Sequence, residues 1–212
     1  MLTRRALAPA PAHAAGFTLI EMMVAIVLGL LVVGAVLAFI VSLVRANSET
    51  VLSTRLNQEM RATMALISND VRRARGLIDP IAAVGQGGVV ANPYSSIDLT
   101  TANCMRYSYA ETTAGATNYR AVRLDTATGK VVMVRANTAG GAACNSAGTA
   151  LNTDGIEITG LTFTNPGGNA RRIDVVLTGR LRNKPAFMRE TPGGGVTDKT
   201  IRQTVSIRSN GT

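Results

Sequence analysis

The sequence predicts an α+β fold: a long N-terminal helix packed on an antiparallel β-sheet formed by the rest of the chain. Three observations predict it. Residues Met22–Val41 carry no charge. Beyond them, apolar residues recur every three or four positions from Leu52 to Ala74. After Gly76 the pattern changes to short alternating segments separated by Gly, Asn and Thr. A helix that buries one stripe against a sheet is the two-layer solution such a pattern permits.

The first 16 residues, "MLTRRALAPAPAHAAG", contain Arg4, Arg5 and two prolines but no apolar core. A secretory signal runs basic, apolar, then small-residue cleavage site. Here the small residues Ala14-Ala15-Gly16 precede the apolar run, so cleavage fits between Gly16 and Phe17 and leaves the hydrophobic segment on the mature chain. The uncharged run is 20 residues long, enough at about 1.5 Å per residue to cross a hydrocarbon core of about 30 Å. Between Phe17 and Val44 the sole charge is Glu21. A carboxylate in hydrocarbon costs about 3 kcal/mol even on lenient scales, so its presence calls for a function.

The apolar stripe Leu52, Leu56, Met60, Met64, Ile67, Val71 and Ala74 continues the helix beyond the span. Arg72, Arg73 and Arg75 suit a last turn, and Gly76 suits a left-handed cap before Asp79-Pro80. Phe17 to Arg75 is then one rod of about 90 Å. Seven later segments read as strands: "SSIDLTT", "CMRYSYA", "NYRAVRLD", "KVVMVRA", "GIEITGLTFT", "RRIDVVLTG" and "TIRQTVSIR". In "YRAVRLD-TATG-KVVMVR" a hairpin is expected, with Gly129 free to take a positive φ. The expected organisation is a leader at 1–16, a transmembrane helix at 17–44, its amphipathic continuation at 45–76 and a β-rich domain at 77–212.

Cys104 and Cys144 both follow the span. On the exported side of a membrane such a pair reads as a disulfide; two small buried thiols are the other reading. The formal charge of +9, with 22 Lys+Arg against 13 Asp+Glu, permits anionic partners without selecting one. Arg171, Arg172, Arg180, Arg182 and Lys184 lie close in sequence, followed by Arg189, Lys199, Arg202 and Arg208. Together with Tyr94, Tyr107, Tyr109 and Tyr119 they are candidates for nucleic-acid contact. Charged residues on the solvent face of strands give the same pattern.

The sole histidine, His13, falls in the leader. Histidine-based catalysis and zinc ligation are therefore not expected of the mature chain. "GQGG" at 85–88 lacks the strand–turn–helix context of a phosphate loop. The aspartates Asp98, Asp125, Asp154 and Asp174 show no ligand spacing. No enzyme activity, cofactor or metal is expected.

The stretch "G-FTLIE-MMVAIVLGLLVVGAVL" resembles the processing and assembly signal of the type IV prepilin and pseudopilin superfamily. The resemblance implies a pilin-like lollipop fold, a cut after Gly16 by a prepilin peptidase, and N-methylation of Phe17 by the same enzyme. It makes Glu21 the assembly glutamate at the fifth mature position, where it receives the N-terminal amine of a neighbouring subunit. Ala14-Ala15 departs from the basic residue common before the glycine. Ala38 stands where many major pilins have a proline, so an unbroken helix is expected. Later strands, including "GIEITGLTFT" and "TVSIRSN", resemble W-type minor pilins and the J-type pseudopilins of type II secretion.

What the resemblance implies is a minor pilin in the inner membrane with its C-terminal domain in the periplasm, passing later to the pilus and cell surface. Its implied partners are the lipid bilayer, other major and minor pilins and the inner-membrane assembly platform. A J-type pseudopilin and a DNA-contacting pilin are the alternatives.

Overall fold

The computed structural model describes residues 16–76, 94, 96–110, 117–168, 171–183 and 198–207. Contacts divide the chain into two units between Asn47 and Ser48. The helix α1 is uninterrupted over Leu19–Val71. With alanine at position 38, nothing removes a backbone donor within it.

In the first unit α1 presents its apolar side chains outward all round, from Leu19 to Val44. Such a helix is stable where lipid or other helices take the place of water. It is the one described helix long and apolar enough to cross a membrane.

In the second unit the expected stripe forms the core. Leu56, Met60, Met64, Ile67, Val71 and Ala74 are buried, and Leu52 packs against them. The helix ends earlier than the arginines suggested. Arg73 and Ala74 bond back three residues, to the carbonyls of Asp70 and Val71, which tightens the chain into turns. Arg75 then takes the left-handed conformation with φ 64°, the position expected for Gly76. Gly76 is required for space instead: a Cβ there would sit 2.9 Å from the Arg73 carbonyl oxygen. Arg75 N–H donates to Ser108 O and Ala110 N–H to Gly76 O, each at 2.9 Å, so the chain leaving the helix is stitched to the first strand.

The strands are β1 (Cys104–Ala110), β2 (Thr117–Asp125), β3 (Lys130–Ala136), β4 (Thr149–Ala150), β5 (Ile156–Thr164), β6 (Arg172–Leu181) and β7 (Lys199–Ser206). They form two antiparallel sheets, ordered β1-β2-β3-β4 and β5-β6-β7, where the sequence suggested one. Six of the seven expected strands are present. "SSIDLTT" contributes a single bridge, Asp98 to Arg106, because Asp98 Oδ1 turns back to accept from Thr100 N–H and Oγ1. β4 has no sequence signal at two residues. Gly129 closes the β2–β3 hairpin with φ 64°, a conformation that costs a side-chain-bearing residue about 1 kcal/mol or more.

Alternation assigns the faces of the first sheet. Met105, Tyr107, Tyr109, Val122, Leu124, Val131 and Met133 point into the helix-sheet core. Cys104, Ala121, Val132 and Val134 form a separate apolar cluster with Ala142. The run Val131–Val134 is thus buried on both faces, which explains why it is continuously apolar rather than alternating. Buried Asn152 joins the sheets: its Oδ1 accepts from Val131 N–H at 2.8 Å, and its Nδ2 donates to Ile156 O at 3.0 Å.

Candidate assembly site

Thr18 sets the start of α1. Its carbonyl accepts from Met22 N–H at 3.2 Å, and its Oγ1 accepts from Glu21 N–H at 3.3 Å. Thr18 is therefore the N-cap and Glu21 the third helical residue, the spacing of a capping box. This role escaped the sequence reading, although T-x-x-E before an apolar run is its signature. Glu21 consequently lies in the first turn, where the helix dipole favours a negative charge. Phe17, just before the cap, is 80% exposed. The site thus offers a carboxylate in a capped first turn, an exposed aromatic just before the cap and an apolar helix face.

Among the described residues, the basic stretch from Arg171 to Arg182 does not gather into one patch. Arg172 and Arg180 lie near opposite ends of β6, about 27 Å apart at roughly 3.4 Å per residue. Arg172 pairs with Asp174 at 3.6 Å, and Arg180 makes two 3.1 Å hydrogen bonds to Glu157. That arginine holds the Glu157 carboxyl below its usual range. Arg182 donates to the Thr128 carbonyl, and Arg171 is exposed. Lys184, Arg189 and Arg208 lie outside the described residues, as do His13 and the GQGG stretch. Tyr107 and Tyr109 cannot stack on a nucleobase, because both rings are buried in the core; Tyr94 and Tyr119 are half-buried. No group of three or more potential metal ligands occurs among the described residues.

What Tyr107 and Tyr109 do instead was not legible. Both hydroxyls donate to Asp70 at the end of α1, Tyr109 at 3.3 Å. Arg120 from β2 donates to the Tyr109 hydroxyl through Nε at 3.0 Å and Nη2 at 2.8 Å, with Nε 3.7 Å from Asp70 Oδ2. Arg73 lies over the Tyr109 ring, 4.6 Å from its centroid. Burial, and then the Asp70 charge, raise the Tyr107 hydroxyl pKa well above its usual 10. These groups fasten the helix end to the first sheet.

Cys104 and Cys144 form a disulfide, with Cα atoms 6.0 Å apart. Arg106 reinforces it by donating from Nε to Ala142 O at 2.9 Å and from Nη2 to Ala139 O at 2.7 Å.

The capped apolar helix, its first-turn glutamate and the mixed α+β unit define a type IV pilin-like, membrane-anchored protein. Residues 11–37 match the prokaryotic N-terminal methylation motif, and residues 49–204 match Prepilin peptidase-dependent protein B. The chain belongs to the prepilin peptidase-dependent protein B family. No curated protein and no solved structure matches it.

Proposed function

We propose that this chain is a W-type minor pilin, cut between Gly16 and Phe17, N-methylated on Phe17, and built into or used to prime a type IV pilus. Its role is structural rather than catalytic. It is held in the inner membrane with the second unit in the periplasm until assembly carries it to the cell surface. Its partners are the prepilin peptidase, other pilins and the assembly platform. The observation that carries this reading is Glu21, whose N–H donates to the Thr18 cap in the first turn of α1, with no other charge among the outward-facing residues from Leu19 to Val44.

Cleavage would leave a charged amine on Phe17, one turn before Glu21. A neighbouring subunit's amine can neutralise the carboxylate where both are poorly solvated, which fixes the axial register between subunits. Removing the carboxylate leaves that amine unpaired at a cost of several kcal/mol. Glu21→Ala and Glu21→Gln should therefore reach the membrane normally and be cleaved after Gly16, yet be depleted from sheared filaments. Quantitative comparison of the membrane and filament fractions checks this. Recovery of both variants in filaments at wild-type levels would contradict it.

A further inference from the structure

The cover over the outer face of the first sheet is attached differently from the rest of the unit. The segment 137–148 joins β3 to β4 and lies across the small apolar cluster of Ala121, Val132 and Val134, into which it inserts Ala142. Its own backbone and side-chain bonds are local: Ser146 N–H to Ala143 O at 3.1 Å, Gly141 N–H to Thr138 Oγ1 at 3.2 Å, and Ala143 N–H to Ser146 Oγ at 3.2 Å. Among the described residues, no backbone–backbone hydrogen bond ties 137–148 to the sheet. The links are the Cys104–Cys144 bond and donated side-chain hydrogen bonds from Arg106 and Arg123, the latter to Ser146 O at 3.3 Å. Below it, β4 is just two residues long.

The cluster beneath the cover is small, and it is separate from the helix-sheet core. From the cover, Ala142 is buried on this cluster and Cys144 partly so, too little apolar area to hold twelve residues, since stabilisation scales with the area removed from water. Hydrogen bonds from the partly exposed Arg106 and Arg123 exchange with water at little net cost.

We propose that the Cys104–Cys144 disulfide is a redox latch. Oxidised, it holds 137–148 over the sheet; reduced, it releases that segment and uncovers the Ala121–Val132–Val134 strip while the main core stays folded. The reductant is a dithiol. Its thiolate attacks the sulfur of Cys144, the less buried cysteine, and expels the Cys104 thiolate. The second thiol then closes on the mixed disulfide and expels Cys144, leaving two cysteine thiols and an oxidised dithiol. The latch does not depend on the assembly role proposed above.

Hydrogen–deuterium exchange on the full-length protein in detergent micelles tests it, before and after dithiothreitol treatment of the folded protein. Reduction should abolish protection across 137–148 while the amides of residues 56–71 and of β5, β6 and β7 exchange as before. The Cys104→Ala/Cys144→Ala double variant should reproduce the reduced pattern. Unchanged exchange in 137–148 after reduction would show that the arginines hold the cover and would overturn the proposal. Loss of protection throughout the helix and both sheets would overturn it equally, because the disulfide would then hold the whole unit. Because the reduced wild type is prepared from folded protein, the test stands even if the double variant does not fold.

Discussion

Asp70→Ala is expected to destabilise the second unit by about 3–5 kcal/mol, the usual cost of removing one member of a buried charge pair. The Asp70 side chain is 11% exposed and that of Arg120 5%. Without the carboxylate, the guanidinium keeps among the described residues one hydrogen-bond partner, the neutral Tyr109 hydroxyl, and Tyr107 loses the Asp70 acceptor of its hydroxyl. Asp70→Asn should recover little, since it restores an acceptor but no charge. Urea denaturation of the full chain in micelles, followed by tyrosine fluorescence, measures the difference; a change under 1 kcal/mol would refute this account of the helix–sheet junction. The same cluster predicts a pH dependence. Tyr107 has its folded pKa raised by burial first and by Asp70 second. The stability it contributes is complete below its unfolded value of about 10 and is lost as pH climbs from there through the raised folded value. Tyr107→Phe should remove that alkaline component.

Breaking the disulfide is the second large effect. Its two cysteines are 40 residues apart, so the chain-entropy model gives about 4 kcal/mol at 25 °C from freeing the unfolded chain. That figure is an upper value here, because release of 137–148 in the reduced native state recovers part of the entropy. The midpoint of urea denaturation should fall on reduction by a correspondingly large amount. An unchanged midpoint would contradict a net constraint on the unfolded chain.

Local periodicity carried much of the fold into view. The stripe from Leu52 to Ala74 and six of the strands could be read because each depends on spacing within a few residues. Glu21 stood out for a similar reason: one charge in an apolar run has a cost that needs no structure to assess. Long-range relations were hidden. Nothing near Asp70 indicates that it meets side chains at 107, 109 and 120, and nothing in the strands indicates a division into two sheets. The arginines from 171 to 182 are neighbours in sequence, yet along an extended strand that proximity becomes separation in space. At the helix end, Gly76 had the right composition for a left-handed cap, yet Arg75 takes that conformation and Gly76 lies where a Cβ would meet the Arg73 carbonyl oxygen.

The proposed assembly role requires, before anything else, that the mature chain begin at Phe17, whose amine is proposed to meet Glu21 of a neighbouring subunit. Mass spectrometry of the N-terminal peptide, from membranes of cells with an active prepilin peptidase, tests this most directly. The expected species begins at Phe17 with one added methyl group on its amine, and the same chain from peptidase-deficient cells retains residues 1–16. A chain that keeps residues 1–16 in the presence of the peptidase, or that starts at any other residue, would contradict the account.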